Sequence, residues 1–221
     1  MQPTLHPRIK ICCIASVDEA RLAIQYGAAA LGLVSHMPSG PGVISEDQIA
    51  QIARQVPPPI GTFLLTSQQD AQGIIAQQRR CRTNTIQICD RLNRGSYQEL
   101  KAALPGIAIV QVVHVVGLES IEEAVAVAPQ VDAILLDSGN PALAVKELGG
   151  TGRRHNWEVS RKIREAIDKP LFLAGGLNAD NGRQAIAEVG PFGLDVCSGV
   201  RTAGKLDEKK LAAFVASVLA G

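Results

Sequence analysis

Three short glycine clusters in the last third of the chain are the residues best suited to binding a ligand, and two of them directly follow apolar, strand-like runs. The clusters are Gly149-Gly150-Thr151-Gly152, Ala174-Gly175-Gly176 and Cys197-Ser198-Gly199. Several converging backbone N–H groups hold a phosphate dianion best, and residues without a Cβ let the main chain approach it closely. Glycines that merely end strands would explain one such cluster, but they explain three at corresponding places less well. We therefore predict a phosphorylated metabolite as the ligand, bound by Gly150, Thr151, Gly152, Gly175, Gly176, Ser198 and Gly199.

The cysteines and histidines do not form a metal-binding pattern. The five cysteines, at positions 12, 13, 81, 89 and 197, include neither a CxxC pair nor the spacing of a zinc site. The four histidines are scattered, and no carboxylate cluster accompanies them. We therefore expect no metal site and free thiols, most of which serve as small buried apolar side chains in a reducing compartment.

The composition argues against two classes of partner. The chain has 22 basic and 21 acidic residues among 221, and no block of like charges stands out. Nucleic acid and anionic membrane surfaces are therefore not expected partners. The start, MQPTLHPRIK, has no apolar core of the kind a secretion signal needs, and no apolar stretch approaches the ~18 residues of a membrane span. These features predict a cytoplasmic protein.

Eight apolar runs alternate with amphipathic stretches along the whole chain. The runs are 9–14, 30–34, 60–65, 85–88, 107–113, 133–136, 171–174 and 194–197. Helical patterns over 17–26 and 118–128 fill two of the gaps, and the other stretches begin at candidate N-caps, which are Ser45, Ser67, Ser96, Asn156, Asn178 and Asp207. This alternation predicts parallel strands closed into a single (βα)8 TIM barrel spanning residues 1–221. An open doubly wound sheet is the alternative, but the turn after the first run lacks a GxGxxG motif.

The carboxyl ends of the strands are where the chemistry of such a barrel lies. Besides the glycine clusters, the residues predicted there are Cys12, Gln87, Cys89, His114 and Asp137. The two longest loops at this end, 35–44 and 138–155, are the natural candidates for lids.

Five of these segments, in order, resemble the phosphoribosylanthranilate isomerase family of the tryptophan pathway. They are Lys10-Ile-Cys12, Ala133-Ile-Leu-Leu-Asp137, Gly149-Gly-Thr-Gly152, Leu173-Ala-Gly-Gly-Leu-Asn178 and Asp195-Val-Cys-Ser-Gly-Val200. The resemblance implies a (βα)8 barrel that carries out an Amadori rearrangement of N-(5-phosphoribosyl)anthranilate without a cofactor. It also implies that Asp137 protonates the ribose ring oxygen and that Cys12 removes the C2′ proton.

Elementary electrostatics is compatible with these two roles. A free thiol titrates near ~8.5, and Lys10, two residues before Cys12 on the same strand face, is expected to lower the pKa of that thiol. Burial at the barrel mouth is expected to raise the pKa of Asp137. Cys13 should point to the opposite face, pack under the helices and be inert.

The chain also departs from the family pattern. The resemblance implies an arginine in the loop after the second strand that binds the anthranilate carboxylate, and Gly42 occupies its position. The candidate substrate contacts that remain are Lys10, Gln87 and His114. His114 stands at the end of the fifth strand, either as a second acid or base or as a histidine satisfied by strand packing. Positive charge at the rim could come from Arg153, Arg154 or Arg201.

Two other functions stay open at this point. The chain could be a paralogue that isomerises a different phosphorylated sugar, or a non-catalytic barrel that binds a phosphorylated metabolite. The presence of both Cys12 and Asp137 argues against the second, because binding alone needs neither. The size fits either a monomer or a homodimer.

Overall fold

Eight parallel strands form a closed barrel in sequence order, and helices cover its outside. The structure is a computed structural model and describes residues 7–219. The barrel strands are β1 (Arg8–Ile11), β2 (Ala30–Val34), β3 (Gly61–Thr66), β4 (Thr85–Ile88), β5 (Ala108–His114), β6 (Ala133–Asp137), β7 (Leu171–Leu173) and β8 (Gly193–Val196). The predicted (βα)8 barrel is confirmed.

Each barrel strand is followed by a helix that returns the chain to the other end of the barrel. The helices are α1 (Val17–Gln25), α2 (Glu46–Ala53), α3 (Ala71–Cys81), α4 (Tyr97–Ala103), α5 (Glu119–Val127), α6 (Trp157–Ala166), α7 (Gly182–Val189) and α8 (Glu208–Leu219). Short 3-10 turns occupy Ala128–Gln130 and Ser198–Val200, and an antiparallel ribbon of β9 (Arg201–Thr202) and β10 (Lys205–Leu206) precedes α8. No helix within residues 7–219 is long and apolar enough to cross a membrane.

Side-chain caps fix the helix starts. Ser45, Ser96 and Asn156 each accept hydrogen bonds from backbone N–H groups in the first turn of their helices, as predicted. Two of the predicted starts were wrong. Asp70 rather than Ser67 caps α3, and α7 begins after Asn181 rather than Asn178, because a turn of three residues separates each predicted cap from its helix.

Two apolar cores lie on opposite sides of the sheet. The larger one fills the space between strands and helices, and the smaller one fills the inside of the barrel. Inside the barrel, the Phe172 ring packs edge-to-face on Phe63 at 5.9 Å and on Phe192 at 5.5 Å. Because successive side chains on a strand alternate between the two cores, every second residue of a strand faces the barrel interior.

The barrel closes where β1 pairs with β8. Lys10 is the backbone partner of Asp195 in this ladder, and their inward side chains form an ion pair of 2.9 Å. The register therefore places a lysine and a carboxylate under the end of β1, next to Cys12.

Candidate active site

A cavity of about 670 Å³ opens at the carboxyl ends of the strands. Residues within or just beyond the carboxyl ends of β1, β4, β6, β7 and β8 line its walls. They include Cys12, Gln87, Cys89, Asp137, Gly175, Gly176, Asp195 and Ser198. Loop 2 (residues 35–45) and loop 6 (residues 138–156) contribute Met37, Pro41, Leu148 and the segment 149–152 to the wall. The thiol and the carboxyl group predicted to react therefore face the same cavity.

Cys12 lies directly beyond the end of β1, above the Lys10–Asp195 pair. A Cβ added to Gly32 of β2 would stand 2.9 Å from Cys12 Sγ and 3.1 Å from Lys10 Nζ, so both atoms flank the same glycine. Only a residue without a side chain at position 32 leaves room for them.

Lys10 is fully buried, which leaves none of its atoms for a ligand to contact. This corrects the prediction that Lys10 binds substrate. Burial opposes the charged form, but the Asp195 carboxylate and the nearby Cys12 raise the pKa of Lys10 above its ordinary range. Burial also raises the pKa of Asp195, against the attraction of Lys10. The 2.9 Å contact favours the ionised pair.

Asp137 ends β6 and is held by the start of loop 6. The Ser138 backbone N–H donates to Asp137 Oδ1 at 2.7 Å, and Ser138 Oγ lies 2.7 Å from Thr151 Oγ1. The second oxygen, Oδ2, faces Gly149, where an added Cβ would stand 2.7 Å from it. Loop 6 therefore folds back onto the carboxyl group and leaves one of its oxygens beside the cavity.

The three glycine clusters converge on one side of the cavity. At Gly176, which has a φ of +64°, an added Cβ would lie 2.9 Å from Arg153 C and Arg154 N. At Gly152, it would lie 3.6 Å from Ser198 Oγ. The predicted phosphate residues that line the cavity are Gly150, Thr151, Gly152, Gly175, Gly176 and Ser198. Gly199 lies behind them, and a Cβ there would collide with Leu177 O at 2.0 Å.

His155, which was not predicted from the sequence, packs against this cluster at Gly175. Its Nε2 lies 2.8 Å from Ser160 Oγ, and its Nδ1 would be 3.1 Å from a Cβ on Gly175. Burial lowers the pKa of His155 to about 4, although the charge of Asp137 opposes the shift. The imidazole is therefore neutral at physiological pH. Its position in a long loop, directly before the N-cap Asn156, was the only sequence signal.

Cys13 does not pack under the helices, so that prediction was wrong. Strand β1 ends at Ile11, and Cys13 adopts a left-handed φ of +62°, which ends the alternation and turns its side chain into the cavity. Its Sγ lies 2.8 Å from Cys197 Sγ and 3.9 Å from Cys12 Sγ. The thiols of Cys12, Cys13 and Cys197 therefore meet at the cavity wall, and Cys13 is the one that was not expected there.

Gln87 and His114 have separate surroundings. Gln87 lines the main cavity, donates to Cys89 Sγ at 3.7 Å, and has no hydrogen-bond partner for its Oε1 among residues 7–219. His114 lines a neighbouring cavity of about 490 Å³ instead, and its Nε2 lies 3.0 Å from Cys89 O. Asp90, which also lines the neighbouring cavity, pairs with Lys146 at 2.6 Å. Gln87 therefore lines the main cavity, whereas His114, the ladder partner of Asp137, lines the neighbouring one.

Within residues 7–219, no positive side chain replaces the missing arginine in the main cavity. Among the described residues, its lining contains no arginine, lysine or histidine. Arg201 is buried instead and donates from Nη2 to Cys12 O at 3.1 Å and to Glu19 at 3.1 Å. At Gly42, which has a φ of +80°, an added Cβ would lie 2.5 Å from Cys13 Cβ.

Comparisons with known proteins show the family to which the chain belongs. A sequence model described as N-(5′-phosphoribosyl)anthranilate (PRA) isomerase matches residues 9–217. The chain belongs to the PRA isomerase family. A protein of Methanosarcina mazei named N-(5′-phosphoribosyl)anthranilate isomerase 2 is 35% identical over 210 residues, which cover 94% of this chain and 92% of that protein.

Solved PRA isomerases have the same fold. The enzyme of Thermotoga maritima is 27% identical, with a TM-score of 0.80 over 96% of this chain and 98% of that one. A PRA isomerase in complex with reduced 1-(o-carboxyphenylamino)-1-deoxyribulose 5-phosphate is 25% identical, with a TM-score of 0.78 over the same shares of the two chains. The resemblance inferred from five sequence segments is confirmed.

Proposed function

We propose that this member of the PRA isomerase family converts N-(5′-phosphoribosyl)anthranilate to the corresponding aminoketose, 1-(o-carboxyphenylamino)-1-deoxyribulose 5-phosphate. The observation that carries the proposal is that Cys12, Asp137 and residues of all three glycine clusters line one cavity. An aldose–ketose isomerisation needs one acid and one base on one small molecule, and a phosphate site to hold that molecule between them.

Asp137 is the proposed acid. Its Oδ1 accepts the Ser138 N–H, so the proton to be transferred belongs on Oδ2, the oxygen beside Gly149. Transfer of this proton to the ribose ring oxygen breaks the C1′–O bond, and the nitrogen lone pair forms the C1′=N bond of an iminium ion.

Cys12 is the proposed base. It takes the C2′ proton, and the electrons of the C–H bond form a C1′=C2′ bond while the iminium nitrogen regains its lone pair. Tautomerisation of the resulting enolamine gives the aminoketose. Each of these steps only moves protons and electron pairs within the substrate and these two side chains, and none needs a redox cofactor.

The glycine clusters are the proposed phosphate site. Gly152, Gly176 and Ser198 bring three backbone segments together on the side of the cavity away from β4. A phosphate bound there holds the sugar ring over Cys12 and Asp137. Binding energy from the phosphate is thereby used to orient the reacting atoms of the sugar.

The experiment is an isomerase assay that follows loss of the anthranilate-type fluorescence of the substrate. We expect the wild type to turn over, and Cys12→Ser and Asp137→Asn each to lose at least about a hundredfold in kcat, the usual scale for removing a general acid or base. Cys81→Ser is the matched control, because Cys81 is buried in α3, outside the cavity. Ligand binding without turnover in the wild type would instead indicate a non-catalytic binding protein.

One observation favours a second candidate within the same reaction class. Because the cavity lining contains no basic side chain among residues 7–219, it offers no ion pair to the anthranilate carboxylate. An N-substituted phosphoribosylamine without a carboxylate would therefore suit the cavity. Comparing kcat/KM for the anthranilate and the aniline derivatives decides the question, since only the second candidate predicts that the aniline derivative is preferred.

We also propose a cytoplasmic location and a monomeric or homodimeric state. The support for the location is the near-neutral charge and the lack of a membrane-spanning helix in residues 7–219. Sedimentation analysis distinguishes the two oligomeric states.

A further inference from the structure

Two cysteines that the isomerase mechanism does not use face each other at the seam of the barrel. Cys13 follows β1, Cys197 follows β8, and their sulfur atoms lie 2.8 Å apart. A disulfide bond is about 2.05 Å long, so a movement of less than about 1 Å would join them. Because β1 and β8 are hydrogen-bonded neighbours, the backbone already holds the two residues side by side.

Hydrogen bonds of the local backbone hold Cys13 in the position that brings its sulfur close to Cys197. The carbonyl groups of Cys12 and Cys13 both accept hydrogen bonds from Arg201, which is itself paired with Glu19. These hydrogen bonds hold the two peptide groups on either side of the Cys13 α-carbon, and so stabilise its left-handed conformation. The backbone on both sides of the Cys13 α-carbon is therefore held by Arg201 of β9, which pairs with Glu19 of α1.

The two thiols differ in exposure and in acidity. Cys13 is buried, whereas Cys197 is partly exposed and lies on the cavity wall. The hydrogen bond with Cys13 and the charge of Arg201 lower the pKa of Cys197, against burial. Hydrogen bonds to Cys12 and Cys197 raise the pKa of Cys13. A reagent in the cavity would thus meet the more nucleophilic thiol first.

We propose that Cys13 and Cys197 form a dithiol–disulfide site that reacts with low-molecular-weight disulfides of the glutathione type. The Cys197 thiolate attacks one sulfur of the reagent, which breaks its S–S bond, releases one thiolate and leaves a mixed disulfide on Cys197. Cys13, having lost its proton to the released thiolate or to solvent, then attacks the Cys197 sulfur and expels the second thiol. In sum, two protein thiols are oxidised, one external disulfide is reduced to two thiols, and one S–S bond replaces another.

The test is to treat the reduced protein with glutathione disulfide and to map the products by mass spectrometry. We expect loss of two hydrogen atoms from the intact mass without a retained glutathione, and a link between the peptides that hold Cys13 and Cys197. Dithiothreitol should reverse both changes. Because the mass-spectrometric readout needs no isomerase activity, its outcome is independent of the proposed function.

Variants separate the three neighbouring thiols. In Cys12→Ser the link to Cys197 should persist, and in Cys13→Ser it should be lost while a glutathione adduct accumulates at Cys197. Cys13→Gly is a second variant at this position, because glycine accepts the positive φ without strain. Cys81→Ser is the control and should react as the wild type does. Adduct formation at Cys197 at least about tenfold faster than at Cys81 is expected.

Three results would overturn the proposal. One is a link from Cys197 to Cys12 that survives in both Cys13 variants, since this would assign the bond to the wrong thiol. The second is a stable glutathione adduct on Cys197 in the wild type that never resolves. The third is the lack of any reaction at Cys197 under conditions in which a small-molecule dithiol is fully oxidised.

Discussion

At the scale of single residues, one backbone angle determines which groups reach the cavity. A residue other than glycine in the left-handed region carries strain of order 1 kcal/mol, and Cys13 adopts that conformation at a φ of +62°. The hydrogen bonds from Arg201 to the carbonyls on either side of its α-carbon offset this strain. The result is that the Cys13 thiol lines the cavity beside the thiols of Cys12 and Cys197.

His155 makes the stability of the protein depend on pH. Its pKa is about 4 in the folded chain because of burial, and about 6.5 when unfolded. Between these values the unfolded state binds a proton that the folded state does not. The free energy of unfolding should therefore fall as the pH is lowered from about 6.5 to 4, by up to about 3 kcal/mol.

Urea denaturation of the wild type and of His155→Gln across this pH range measures the effect. The variant should show a shallower fall, because glutamine can still contact Ser160 but does not titrate. Parallel curves for the two proteins would show that the imidazole is not kept neutral by the fold.

The roles of residues could be predicted from sequence only where a strand delivers them. Asp137 follows four apolar residues of β6, so its place at the mouth could be predicted from alternation and strand length. The position of the Cys13 side chain could not be predicted, because its inward direction depends on where β1 ends and on a positive φ that no local sequence pattern indicates. His155 and Asp195 were missed because their environments come from tertiary contacts with β7 and β1, not from neighbours in sequence.

At the scale of secondary-structure elements, the ion pair between β1 and β8 lies at the closure of the barrel. Lys10 is 0% exposed and its partner Asp195 is 7% exposed, so the pair is removed from solvent. Lys10 Nζ also lies 5.2 Å from the centre of the Phe63 ring. Breaking such a pair leaves one charge buried without compensation, which costs far more than the intact pair contributes.

Lys10→Met should therefore lower the free energy of unfolding by about 3–5 kcal/mol. The double variant Lys10→Met/Asp195→Leu should regain most of that loss, because it leaves no isolated charge. Arg161→Met, which removes one side of the exposed Arg161–Glu165 pair, is the control and should have little effect. Equal losses for Lys10→Met and the double variant, measured by chemical denaturation, would contradict a penalty from the unpaired carboxylate.

The strands and helices themselves were predictable because period-2 and period-3.6 patterns are local. The exact residues at which the helices begin were less predictable, as the start of α3 shows. Ser67 is a good N-cap residue in isolation, but Ser67 Oγ donates to His36 O, and Asp70 receives the helix N–H instead. The hydrogen bond from Ser67 to His36, 31 residues away in sequence, leaves Asp70 as the residue that caps α3.

At the scale of the whole molecule, two distant loops meet over the barrel mouth. Ser39 of loop 2 donates from Oγ to Lys146 O of loop 6 at 2.7 Å, and a Cβ on Gly150 would lie 2.5 Å from Pro41. Together with β7 and β8, these loops enclose the predicted phosphate site. The site is therefore a property of the closed barrel, and no single segment contains it.

Inorganic phosphate should stabilise the protein through this site. At about 100 times its dissociation constant, a ligand of the folded state adds about 2.7 kcal/mol, or roughly 5–10 °C in Tm for a domain of this size. Gly176→Ala should abolish the phosphate-dependent part of the shift, because its Cβ would lie 2.9 Å from the backbone of Arg153 and Arg154.

Gly106→Ala is the matched control for this measurement. Gly106 also has a positive φ, of +82°, but a Cβ there would meet nothing within 4 Å, and it lies between α4 and β5 at the other end of the barrel. Both variants should lose intrinsic stability, and only Gly176→Ala should lose the response to phosphate. An unchanged response in Gly176→Ala, measured by thermal melting, would place the anion elsewhere.

The contact between loop 2 and the end of β1 also constrains how this sequence can change over time. Since a Cβ at position 42 would stand 2.5 Å from Cys13 Cβ, only glycine at position 13 removes that contact for a side chain at 42. Mutational paths toward an arginine at 42 are thus ordered, with the step at position 13 coming before the other. Effects measured at either position alone should therefore not add in the double mutant.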